Sequence, residues 1–170
     1  MHRFYLPTAQ CAGEEILLPE REAHHAARVL RLQRGDVVTV LDGCGQVIGC
    51  QIADVAKKHV ALRVTERTRS PAPPAQITLL QAVPKPKAFD AILQKATELG
   101  VARIVPLLTT RVVTHLDKED SASKVEKWQQ VAIEAAKQCG SPWLPRIESP
   151  LTPQQFLARG EKFDLPLVAA

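Results

Sequence analysis

The side chains in this chain that could do chemistry are mostly cations placed beside or between segments of regular structure. Lys85 and Lys87 precede an amphipathic stretch, Lys95 and Glu98 lie within it, Arg111 follows an apolar run, and Gln138 sits where a long helical pattern stops. Upstream, Arg21, Arg28, Arg31 and Arg34 fall within fourteen residues beside His24 and His25, and Arg63, Arg67 and Arg69 form a second group. A guanidinium presents paired donors that match phosphate oxygens, and a histidine ring can stack on a base, so such clusters suit contact with a nucleic acid backbone. Charge alone does not separate that role from a solvated helix face. Lys95 with Glu98 has the i,i+3 spacing of an ordinary surface ion pair.

Other chemistries lack their signatures. No P-loop, GxGxxG or GxSxG motif occurs, and no nucleophile has a partner base nearby in sequence. The four cysteines, Cys11, Cys44, Cys50 and Cys139, form no CxxC pair, which predicts reduced core thiols and no metal site. With 170 residues, 45% hydrophobic and 24% charged, the composition is that of a soluble globular chain of one or two domains. No apolar run approaches the roughly 20 residues a membrane span needs, so a cytoplasmic protein is expected. A net charge of +4 is too slight to indicate a polyanion partner unaided.

These side chains need elements to position them. Pro71, Pro73 and Pro74 cannot continue a helix or a central strand, and the expected division is 1–70, a linker at 71–75, and 76–170. Before the linker, short β-branched segments at 3–6, 36–42, 47–55 and 60–65 read as strands, with Asp42-Gly43-Cys44-Gly45 as a hairpin turn. Residues 19–32, PEREAHHAARVLRL, read as the one helix of a small barrel. After the linker, strands at 77–83 and 103–108 alternate with helices at 87–99 and 121–139. The first carries Phe89, Ile92, Leu93, Ala96 and Leu99 on one face; the second carries Trp128 in its apolar stripe and a capping box of Ser123 with Glu126. Trp143 reads as packing. A third strand is hinted at in 163–170. This order predicts a parallel sheet covered by helices, and ligands of such sheets gather outside the carboxyl ends of strands, which favours Lys85 and Arg111. A parallel sheet this small is unfinished, so the chain is expected to stop partway through its second domain.

Several of these segments also resemble one family. HRFYLP, HHAARVLRL followed by RGD, the DGCG turn, ILQKATELGVARIVPLLTTR and KWQQVAIEAAKQCGSPWLPRI are similar, in order and spacing, to the 16S rRNA uridine N3-methyltransferases known as RsmE. The resemblance implies a PUA-like β-barrel for RNA binding, followed by an α/β methyltransferase domain of the SPOUT class with a trefoil knot. It further implies a homodimer, S-adenosylmethionine as cofactor, and 16S ribosomal RNA or the small subunit as partner. On that basis Arg111 and Lys85 are the catalytic candidates, and Arg3, His24, Arg28, Arg31, Lys87 and Lys95 the RNA-binding ones. The family's GPEGG-type loop and LRxETA-type segment do not occur here, so these residues are expected to lack the cofactor pocket and to be inactive alone. An RNA-binding module without catalysis and a SPOUT enzyme with another target nucleotide are the rival readings.

Overall fold

The computed structural model describes residues 2–56, 59–110 and 118–168, with residues 118–120 in backbone only. Strands β1 (His2–Tyr5), β2 (Glu15–Leu17), β3 (Val37–Leu41), β4 (Gln46–Val55) and β5 (Val60–Arg69) form one sheet in the order β1-β3-β4-β5-β2. Only β1 with β3 is parallel; the other pairs are antiparallel. Alternate residues of these strands, among them Phe4, Val38, Val40, Ile48, Cys50, Ile52, Val60 and Leu62, bury into a single core. The edges β1 and β2 do not pair with each other among the described residues, so the barrel is open.

The turn between β3 and β4 falls on the four residues expected. Asp42 Oδ1 accepts the amides of Cys44 and Gln46 at 2.7 and 2.8 Å, while Gly43 and Gly45 take φ of 75° and 97°. The helix expected over 19–32 is shorter. Helix α1 spans Glu20–His24 and continues as a wider π-turn over His25–Val29. Of the four cysteines, Cys11 and Cys50 are buried as expected, and burial pushes the Cys50 thiol up to about 11. Cys44 and Cys139 are exposed, which corrects the expectation of four core thiols.

Strands β6 (Thr78–Ala82), β7 (Arg103–Leu107) and β8 (Arg146–Ile147) form a parallel sheet, with helix α2 (Pro86–Glu98) between the first two and α3 (Lys118–Cys139) before the third. Phe89 of α2 meets Trp128 of α3 edge-on, with ring centroids 4.8 Å apart, and both helices cover Leu79, Ile104 and Ile147. On the other sheet face, Val105 and Leu107 pack with Leu151 and with Phe156 of α4 (Pro153–Leu157). No helix among the described residues is long and apolar enough to cross a membrane.

Three expectations fail here for local reasons. Leu99, assigned to the buried stripe of α2, is 80% exposed because it is the residue after the last helical turn, followed by left-handed Gly100. Ser123 and Glu126 do not cap α3, which begins at Lys118. Residues 163–168 contain no strand; the third strand is β8, and the later segment is held by side chains. Arg103 bonds Glu148 and Glu161 and lies over the Phe163 ring, and Arg159 joins both carboxylates.

That network makes the segment acid-sensitive. The Arg103 guanidinium, aided by Arg159, holds the Glu161 carboxyl below the usual glutamate range. Its stabilisation is therefore complete above the unfolded glutamate pKa and is lost as pH falls through the lower folded value. Thermal midpoints measured from pH 6 down to pH 3 should drop more steeply for the unaltered chain than for Glu161→Gln.

Candidate nucleic-acid interface

The exposed basic surface is built by the chain leaving α1. Ala23 and Ala26 anchor this segment in the core, and after His24 the backbone widens so that the Leu30 amide reaches the His25 carbonyl at 3.0 Å. Arg31 then adopts φ of 53°, the one non-glycine residue with positive φ among those described, and the Leu32 amide closes back onto the Ala26 carbonyl at 3.0 Å. His24, His25, Arg28, Arg31 and Arg34 are all exposed on this turn. Among the described residues, Arg28, Arg31 and Arg34 enter no ion pair. Unspent guanidinium donors beside two imidazoles and an exposed Val29 can hold phosphates and cover a base.

A second set of cations is spent inside the fold. Arg3 donates to the carbonyls of Lys137 and Gln138 at 3.2 and 3.1 Å, satisfying the open end of α3. Gly140 leaves room for it, since a Cβ there would lie 3.0 Å from Arg3 Cζ. Arg21 bonds Gln130 at 2.8 Å, and Lys137 donates to Glu22 at 3.0 Å and Glu134 at 2.9 Å. Arg67 donates to the Gly13 carbonyl at 2.6 Å. Arg63 and Arg69 remain exposed on β5.

The parallel register of β6 and β7 puts Ala82 opposite Leu107, so both strands deliver their carboxyl ends to one edge of the sheet. Lys85 leaves that edge as the exposed residue flanking the start of α2, with Lys87 exposed in its first turn. Arg111 lies outside the described residues. Lys95 is exposed at the far part of α2 and donates to Glu98 at 2.7 Å, the surface pair its spacing suggests. The bonds from Lys95 and then Gln94 lower the Glu98 pKa. Gln138 is exposed, and its carbonyl serves Arg3.

Sequence reasoning missed the Glu22–Lys137 pair and the Arg103 network, whose members lie 115 and 45 or 58 residues apart and leave no local spacing to read. The described residues show no cluster of three metal-ligating side chains. Two open clefts, of about 190 and 380 Å³, are lined by Arg21, His24, Glu134 and Lys137 and by Arg21, Ser123, Lys127 and Gln130. Charged and polar side chains of α1 and α3 supply most of these walls.

Comparison with known proteins adds to this geometry. Residues 71–170 match the family profile described as RNA methyltransferase domain, and residues 18–65 match RNA methyltransferase PUA domain. The ribosomal RNA small subunit methyltransferase E of Synechocystis sp. is 37% identical over 160 residues, covering 93% of this chain and 50% of the relative. That of Aquifex aeolicus is 31% identical, covering 95% and 69%. The chain thus spans about half the length of the first. A Legionella pneumophila protein solved in complex with the bound cofactor SAM superposes with a TM-score of 0.89 at 33% identity, covering 97% of this chain and 68% of that one. The small subunit methyltransferase E of Neisseria gonorrhoeae, bound to S-adenosyl methionine, gives 0.82 at 27% identity, covering 92% and 64%. The fold is therefore a PUA-like part followed by a SPOUT-class α/β part.

The Glu22–Lys137 pair is testable by itself, because both side chains are mostly buried, at 13% and 11% exposure, and Lys137 bonds Glu22 Oε1 while Oε2 has no hydrogen-bond partner among the described residues. Lys137→Met should lower stability by about 1–3 kcal/mol in urea unfolding, since a desolvated carboxylate loses its partner. Adding Glu22→Gln should restore part of the loss.

Proposed function

The chain belongs to the ribosomal RNA small subunit methyltransferase E family of RNA methyltransferases, and on that premise we propose that the protein carrying it methylates N3 of a uridine in 16S ribosomal RNA. Support comes from an exposed arginine-rich turn in the PUA-like part, combined with a parallel sheet whose strand ends converge beside Lys85. In this reading residues 1–70 hold the RNA, 71–75 link, and 76–170 belong to the methyltransferase domain. The whole protein acts in the cytoplasm as a homodimer on the small subunit or its free RNA.

N3 lies on the Watson–Crick edge, so the target base must be unpaired or extruded. S-adenosylmethionine supplies a methyl group already activated on a sulfonium. The protein is left to orient the base, accept the N3 proton and steady the negative charge that spreads onto O2 and O4. Arg111 is assigned that electrostatic role, with Lys85 as its second. Arg28, Arg31 and Lys87 hold phosphates and His24 covers a base; Arg3 and Lys95 have the weaker claim, because both already donate to other groups of this chain. None of the described residues is assigned to hold the cofactor. These 170 residues alone should show no micromolar binding when titrated with S-adenosylmethionine, and such binding would contradict this part of the reading.

In the complete protein, Arg111→Ala should lower turnover on 16S RNA by about 100-fold or more while the RNA dissociation constant moves less than about threefold. Equal loss of both would make Arg111 a phosphate contact. Arg28→Ala and Arg31→Ala should each flatten the salt dependence of RNA binding by about one phosphate contact. Mapping the methylated nucleotide by mass spectrometry tests the uridine N3 assignment against other targets.

A further inference from the structure

The two sheets are joined by a compact set of contacts around Trp143. The hairpin turn 43–45 pairs with 142–144 as a short ladder: Gly45 N–H donates to the Pro142 carbonyl at 2.9 Å, Leu144 N–H donates to Gly43 at 3.0 Å, and Cys44 bridges Trp143. The indole sits where a Gly45 side chain would be, so a Cβ there would fall well inside contact distance of the ring. A Cβ at Gly43 would likewise lie 3.1 Å from Leu144 Cβ. Trp143 Nε1 donates to the Pro71 carbonyl at 3.2 Å, and Ser70 N–H donates to Gly45 at 2.8 Å, so the proline-rich segment is fastened to the same point. Arg3 on the end of α3 and Lys137 on Glu22 add a second line of contact.

We infer that Trp143 is a positioning residue for the proposed reaction: with Arg3 it fixes the reach from the arginine-rich turn, where RNA is held, to the sheet edge where the base is methylated. The inference rests on the reading above. It follows from the geometry that a flexible linker would leave the bound RNA free to present several nucleotides, whereas a docked one presents a single register. Rigid placement is worth orders of magnitude in rate when the reacting groups lie on separate bodies. The proline-rich composition of 71–74 supplies stiffness, and the indole supplies the anchor.

Two measurements test this. In the 170-residue chain, with Cys44 and Cys139 changed to Ser, spin labels at Ala12→Cys and Ala91→Cys should give one narrow distance distribution that broadens in Trp143→Ala. In the complete protein, Trp143→Ala should lower kcat on 16S RNA about tenfold or more with KM for RNA and the barrel's RNA affinity changed less than about threefold, and should spread methylation to neighbouring uridines. Trp143→Phe, which keeps an aromatic ring but loses the Pro71 bond and part of the contact over Gly45, should recover part of the rate. If Trp143→Ala does not fold, Arg3→Gln is used, with the same direction expected. An unbroadened distribution, or a broadened one with unchanged kcat and target, overturns the positioning role. A complete unaltered protein that methylates no ribosomal RNA overturns the function reading instead, and the distance measurement then stands alone.

Discussion

One buried carboxylate sets the relation between the two sheets. Asp42 is 2% exposed, yet it accepts from the amides of Cys44 and Gln46 through one oxygen and from the Thr8 hydroxyl at 3.1 Å through the other. Hydrogen bonds to an ionised acceptor are worth about 1.5–3 kcal/mol each. Three of them offset the several kcal/mol that burying a charge of this kind costs. The turn is thereby fixed in shape, and its outward amide and carbonyl groups become the docking edge for 142–144. Tyr5 and Cys11 nearby have raised pKa values, mainly from burial, and the Asp42 charge adds to both.

Elements with a strong local pattern are legible in the sequence. The hairpin at 42–45 needs an aspartate and two glycines at fixed offsets, and α2 needs one apolar face between a proline and a glycine. Strand β8 is not legible because its length is decided elsewhere. β7 carries Pro106, which has no amide to donate, so the ladder that runs from Arg146 N–H on Ala102 to Glu148 N–H on Ile104 cannot take its next step. The chain resumes contact only at Leu151, whose amide reaches the Pro106 carbonyl. Two paired residues are all that remain, and no periodicity survives in so short a strand.

For the site, residue type is readable and commitment is not. Arg3 and Arg28 look alike in sequence, but one closes the end of a helix 134 residues away and the other stays free. Trp143 between prolines reads as packing, and it does pack; what the sequence hides is that the surface it packs on belongs to the other sheet. Strand-end position and the family resemblance both point to Arg111, while distance in three dimensions separates the cations already satisfied from those still available.

That separation also explains where the fold tolerates strain. A continuous helix through residue 32 would be the cheaper backbone, yet the chain widens into a π-turn and puts Arg31 in the left-handed region, at a cost on the order of 1–2 kcal/mol. Burial of Ala23 and Leu32 on either side of the irregular stretch, and of Ala26 within it, holds it in place. Strain maintained by flanking core contacts is typical of surfaces kept for recognition. The joint shows the opposite economy: Arg3, Arg21 and Lys137 are all satisfied internally, and its glycines fit closely packed rings and side chains. Strain on the turn with free arginines and close packing at the joint are two halves of one arrangement under the proposed function, because an RNA held on the first would be presented in a single register only if the second did not move.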